Sequence, residues 1–221
     1  MKDFFIDFLT KDISLEKAII DLIDNSIDAA KNKLNCSDLN YDFTGYKVDL
    51  KFNKNEFIIS DNCGGFTLND AKQYAFRIGR PIDAPSFGNN SIGRFGVGMK
   101  RALFKIGNTI YVESKTKLGD HFSVSIDVET WRKKTKIIKQ EKGDNLKLMY
   151  WSFNFQLIKN NYHSKIAKDE YGTYIEITNL KDEIMEDFDN SVSRKKLKVE
   201  IEKTLAYSLG KNLHLTINSE F

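Results

Sequence analysis

The sequence predicts an α+β domain, and three observations carry that prediction. Residues 14–35, SLEKAIIDLIDNSIDAAKNKLN, place Leu15, Ile19, Leu22, Ser26 and Ala29 three or four residues apart, the spacing of one helix face. Residues 46–52 (YKVDLKF) and 56–60 (EFIIS) are β-rich runs joined at Asn53–Asn55. From Thr109 onward, alternating or β-branched runs recur, and a glycine-rich turn opening a helix (93–107) precedes them. Helices and strands are thus both present, and after the glycine-rich turn and its helix the pattern turns mostly to strands.

With 221 residues, 41% of them hydrophobic, the chain can bury a full core, and one large domain is the simplest count. A net charge of +3 is too weak to argue for nucleic acid. The basic runs RKKTKIIK (132–139) and RKKLK (194–198) read first as solvated faces. Neither a bilayer-length apolar run nor a signal-peptide pattern is present, so the expected location is cytoplasmic and the expected partners exclude a membrane. Cys36 and Cys63 have neither metal-ligand spacing nor a disulfide framework.

Each element has its own justification. Residues 1–13 form a short helix or arm bearing Phe4, Phe5, Ile6, Phe8 and Leu9. Ser14 can cap the following helix, with Glu16 in its first turn. Asp21, Asn25 and Asp28 lie a turn apart on the edge of the apolar face. Thr67–Ile78 reads as a short helix, and 79–92 (GRPIDAPSFGNNSI, with both prolines of the chain) as an irregular loop. Strands are expected at Thr109–Ser114, Phe122–Val128, Lys136–Ile138, Tyr150–Leu157, Thr173–Thr178 and His214–Ile217. Glu141–Lys147 reads as a polar connection and Lys159–Gly172 as a surface loop, while Glu183–Asp189 and Lys195–Leu209 read as helices. The expected organisation is an arm (1–13), a main domain (14–210), and a closing strand or the start of a following domain (211–221).

Three stretches carry chemistry. Glycines at 93, 96 and 98 let several backbone N–H groups converge, and the following helix adds its positive end, which together suit an anion such as phosphate. A tight turn packed on a helix would account for the same residues. Lys100, in the first turn of that helix, opposes its dipole, a conflict that a bound polyphosphate would resolve. Asp61 ends a strand and is followed by Gly64 and Gly65; it could accept from an exocyclic amine while the glycines let a flat ring approach. It could equally be an ordinary Asp-Asn turn residue. Thr173, after Gly172, could donate to a base or a bridging water, or simply favour a strand.

The order of these parts resembles the GHKL ATPase superfamily: a helix with Asp-x-x-x-Asn, a strand ending Asp-x-x-Gly-Gly, an irregular loop ending in GRFGVG, then Gly-Thr on a late strand. The resemblance covers about 14–180. IGRFGVGMKRALFKIG looks most like the heat-shock chaperone and MORC versions, and AIIDLIDNSIDAA most like those of gyrase, MutL and MORC. It implies a two-layer sandwich, a mixed and mostly antiparallel sheet with helices on one face. It implies ATP and Mg2+ as ligands, with Asn25 holding the ion. Asp61 would read the adenine amine, with Gly65 beneath the ring and Thr173 supporting that end. Gly93, Arg94, Phe95, Gly96, Val97 and Gly98 would wrap the phosphates, Lys100 would lie near them, and 79–92 would be a lid. Slow ATP hydrolysis would drive lid closure and homodimerisation, with a second domain supplying a phosphate-sensing Lys. The chain would then be a fragment of a longer protein. Nucleic acid is a partner by fold-level analogy alone.

Two departures stand out. The family's general base is a Glu four residues before the Asn, and here Asp21 holds that place. Its shorter arm withdraws the carboxylate by roughly 1.5 Å, and a misplacement of about 1 Å can cost on the order of 10²-fold in rate. Cys63 replaces the first glycine of Asp-x-Gly-x-Gly, which puts the turn geometry in question. Asp21 therefore keeps a second reading open, a nucleotide-binding interaction module with weak or no turnover. A third, histidine-type phosphotransfer, has no phospho-acceptor in the sequence. Residues 129–170 match no motif and read as an elaborated sheet edge.

Overall fold

A computed structural model describes residues 2–34, 41–77, 97–138, 146–149, 152–159 and 161–218. The helices are α1 (Lys2–Thr10), α2 (Leu15–Leu34), α3 (Leu68–Asp70, continued by a π turn at Ala71–Ala75), α4 (Val97–Ile106), α5 (Val128–Lys133), α6 (Asp182–Asp189), α7 (Ser191–Thr204) and α8 (Ala206–Leu209). The strands are β1 (Lys47–Asn53), β2 (Glu56–Asp61), β3 (Gly107–Lys115), β4 (His121–Asp127), β5 (Thr135–Ile138), β6 (Leu146–Met149), β7 (Phe155–Leu157), β8 (Gly172–Leu180) and β9 (His214–Ile217).

Seven strands form one sheet in the order β7-β4-β3-β8-β2-β1-β9, and β5 and β6 make a separate hairpin. Every neighbour in the large sheet is antiparallel except β1 and β9, which run parallel. This is the mixed, mostly antiparallel α+β sandwich that the motifs implied. The side-chain alternation of a strand separates the faces. Leu50, Phe57, Ile59, Ile110, Val112, Val124, Ile175 and Ile177 enter the buried core that α2, α4 and α6 share. The opposite face carries Tyr111, Glu113, Tyr174 and Glu176, in register across β3 and β8.

The central helix α2 starts where its cap dictates: the Lys17 N–H donates to Ser14 Oγ at 3.2 Å. Its buried stripe is wider than the spacing indicated, with Ala18, Ile20, Ile23, Ile27 and Ala30 also inside, while Ala29 is only partly buried. A helix sandwiched between a sheet and other helices buries more than one stripe. Helix α1 is fastened at both ends. Lys2, wholly buried, donates to the carbonyls of Trp131 and Lys134, and Arg101 Nε reaches Leu9 O at 3.1 Å.

Other elements depart from expectation. Within Tyr150–Leu157 only Phe155–Leu157 is strand; Ser152–Asn154 is irregular, and Tyr150 and Trp151 lie outside the described residues. Phe153 stacks on Trp131 (5.2 Å) and meets Phe76 edge-on (5.8 Å), so its burial reflects aromatic packing rather than strand alternation. Leu146 and Lys147, expected in a connection, begin β6. The helix of Lys195–Leu209 begins earlier and splits. Asn190 Oδ1 caps α7, accepting from Val192 and Ser193, and Leu205 breaks the run before α8.

Candidate functional site

The site residues gather on the helix side of the sheet, beneath α2. Asp21 is largely buried and pairs with Lys17 Nζ at 3.0 Å. A Cβ built on Gly98 would stand 3.5 Å from Asp21 Oδ2. The first turn of α4 and the carboxylate of α2 are therefore neighbours. One turn on, Asn25 Nδ2 is buried and has no hydrogen-bond partner among the described residues. An orphaned buried amide is costly.

Asp61 closes β2 and collects three donors. Ser26 Oγ donates to Oδ2 at 2.7 Å, and the N–H groups of Cys63 (2.8 Å) and Thr173 (3.2 Å) donate to Oδ1. Burial pushes the Asp61 carboxyl above its ordinary value, opposed by the bonds from Ser26, Cys63 and Thr173. Oδ2 has capacity for a second donor beside Ser26.

The turn after Asp61 answers the question posed by Cys63. The left-handed conformations fall on Gly64 (φ +99°) and Gly65 (φ +64°), not on Cys63, whose side chain is buried and whose thiol burial pushes upward. Gly65 has no room for a side chain, because a Cβ would lie 2.7–2.8 Å from Lys115 O, Ser114 Oγ and Gly172 O. Ser114 Oγ both accepts from Phe66 N–H and donates to Phe66 O, each at 2.8 Å, tying the turn to β3.

Lys100 is buried, and its ammonium donates to Tyr74 O (3.2 Å) and Ala75 O (3.0 Å). The dipole conflict of α4 is thus met within the chain, by carbonyls at the end of the neighbouring π turn. Burial brings the Lys100 pKa down to about 8. Asp24, beside Asn25, is pushed up to about 6, chiefly by burial and further by Asp28 and Asp21, against Lys17 and Lys31. Gly93, Arg94, Phe95 and Gly96, the expected lid at 79–92, and the Val97 side chain lie outside the described residues.

Two participants were not identified from the sequence. In the sequence Ser26 reads only as a small residue in an apolar stripe; a hydroxyl there, directly after Asn25, is the available signal. Gly172 stands out in the sequence only as the residue before Thr173. A Cβ at Gly172 would fall 1.8 Å from Asp61 O, so only glycine lets β8 start against the end of β2.

Among the described residues no cluster of three His, Cys, Asp or Glu could hold a metal. An ion at Asn25 would take most of its ligands from phosphate oxygens and water, as Mg2+ commonly does. Asn25 carries the side-chain oxygen that such a role needs. Among the described residues no helix is long and apolar enough to cross a membrane. Residues 13–173 match the family model described as histidine kinase-, DNA gyrase B-, and HSP90-like ATPase. No curated protein matches the chain.

Proposed function

This chain belongs to the histidine kinase-, DNA gyrase B- and HSP90-like ATPase family, a family that binds ATP, and from that premise we propose that it is a slow Mg2+-dependent ATPase working as a conformational switch. The observation that carries the reading is the junction of Ser26, Asp61 and Thr173, which joins α2 to β8 through one partly buried carboxylate. Asp61 Oδ2 accepts the adenine exocyclic amine beside Ser26, and Thr173 supports that end. Gly65 lies under the ring. Backbone amides of Gly93–Gly98 hold the phosphates, and the positive end of α4 favours their charge. Lys100 supports this end indirectly by fixing the Tyr74–Ala75 turn to α4.

Asn25 would hold Mg2+, which when bound neutralises phosphate charge and orients the polyphosphate. Asp21 orients a water in line with the γ-phosphate. As the water oxygen bonds to phosphorus, the bond to the ADP oxygen breaks and the water's proton passes to Asp21. Closure of 79–92 over ATP and pairing of two copies follow binding, and hydrolysis reverses them. A phosphate-sensing Lys from a further domain would add to the charge stabilisation at the γ-phosphate.

A second reading, a nucleotide-binding module without turnover, is favoured by one contact: Lys17 engages Asp21 at 3.0 Å, and the shorter Asp arm must give up that contact to reach a water. Calorimetric titration of ATP with and without Mg2+, on wild type and Asn25→Ala, with phosphate release followed in parallel, separates the readings. The switch-ATPase reading expects binding that depends on Asn25 together with slow release. Binding without release selects the module, and absence of ATP binding by wild type defeats both.

A further inference from the structure

The outer face of the sheet holds two buried charges that the proposed mechanism leaves unused. Glu113 is fully buried on β3 and accepts four hydrogen bonds, from Tyr111 Oη (2.7 Å), His121 Nε2 (2.8 Å), Ser164 Oγ (2.5 Å) and the Lys165 N–H (3.0 Å). These fill the acceptor capacity of a carboxylate. Two residues on, Lys115 is also buried and donates to Ala167 O (2.9 Å) and Lys168 O (2.6 Å). Burial pushes Glu113 upward, but its bonds to His121, Lys165, Ser164 and Tyr111 outweigh this and hold it below its ordinary value. Buried charges are an expensive way to hold a loop, and an apolar pair would do so at lower cost. What charges add here is a fixed path, because they grip backbone atoms of 165, 167 and 168.

That path leads straight into the site. Lys115 is the register partner of Gly172, and Ser114 that of Thr173. Gly172 abuts Asp61 O, and the Thr173 N–H donates to Asp61 Oδ1. Strand alternation places Ser114 on the site side and Glu113 and Lys115 on the outer side, so the segment entering β8 is gripped from behind the sheet.

We propose that Glu113 and Lys115 are positioning residues for base recognition, clamping 164–168 so that Gly172 and Thr173 stay seated against Asp61. The proposal rests on the reading of Asp61 as the base-recognising acid. Lys115→Met removes the two donors and keeps the stem; Ser164→Ala is a milder break on the loop itself; Lys115→Arg restores donors. Two readouts are used. In nucleotide-free protein, the Thr173 amide exchanges with deuterium about tenfold faster in Lys115→Met and Ser164→Ala than in wild type or Lys115→Arg. By calorimetry, the preference for ATP over inosine triphosphate, which lacks the exocyclic amine, falls about tenfold in the same two variants, while affinity for inorganic tripolyphosphate stays within about twofold. Unchanged Thr173 exchange in both variants overturns the clamp. ATP and tripolyphosphate weakening together overturns the link to the base. Wild type that binds ATP without preference over inosine triphosphate overturns instead the reading of Asp61, and with it the proposal's claim on base recognition.

Discussion

Ser26 Oγ and Asp61 Oδ2 lie 2.7 Å apart, a bond between the middle of α2 and the last residue of β2. It couples the helix that carries Asn25 to the acid proposed to read the base. Ser26→Ala is expected to cost about 1 kcal/mol of stability, the net worth of one such bond. It should weaken ATP more than tripolyphosphate, because it frees Asp61 to turn. Chemical denaturation and calorimetry on the same sample test this, and equal loss for both ligands would contradict it.

Asp21, proposed to orient the attacking water, stands beside Gly98 at the start of α4. Asp21→Asn is expected to lower phosphate release by on the order of 10²-fold, with ATP affinity nearly unchanged. Asp21→Glu should raise release above wild type, since the longer arm regains about 1.5 Å. A release rate indifferent to both changes would remove Asp21 from the chemistry.

Gly172 and Gly64 provide a contrast in backbone tolerance. Gly172→Ala drives a Cβ to 1.8 Å from a backbone oxygen that cannot yield, so a loss of more than about 2 kcal/mol is expected. At Gly64 the nearest atoms are the far end of the exposed Lys33 side chain, which can swing away. Gly64→Ala should cost about 1–2 kcal/mol, from its positive φ alone. Thermal unfolding of the two variants ranks them; the reverse order would contradict the packing described.

Two carboxylates give opposite pH signatures. Asp24 has a folded pKa of about 6 against an ordinary 3.8, so its charged form opposes folding at neutral pH. Its penalty is present above pH 6 and fades as pH falls toward 3.8. Asp24→Asn should therefore raise the melting temperature at pH 7.5 and change it little at pH 4. Glu113 is held below its ordinary value of 4.5, so its contribution is full above that pH and is lost as pH falls through the folded value. Glu113→Gln should destabilise at neutral pH and flatten the acid limb of the stability curve. Melting curves across pH 3–8 check both signs.

Much of this fold was legible because its signals are local. Ser14, the spacing of α2 and the alternation of β1, β2 and β8 are each contained within one element. The polar edge of α2 was visible for the same reason. What escaped depends on partners distant in sequence. Ser26 reads as a small core residue until Asp61 is beside it, and Gly172 as a strand start until Asp61 O occupies its Cβ position. Glu113 and Lys115 look like the solvated side of a strand until residues 164–168 fold over them. Lys100 posed a real conflict, but its answer lay in the carbonyls of Tyr74 and Ala75, which no spacing rule indicates.

The parallel pairing of β1 with β9 sets a condition on the birth of this protein. Lys47–Leu50 are made early, yet their hydrogen-bonding partners are His214–Ile217, and Phe52 N–H waits for Asn218 Oδ1. During vectorial synthesis one edge of β1 must remain open until residues 214–218 have left the ribosome. Closing so long a loop is slow. The exposed side of β1 is therefore the part of the nascent sheet most in need of shielding, and the last whose amides gain protection.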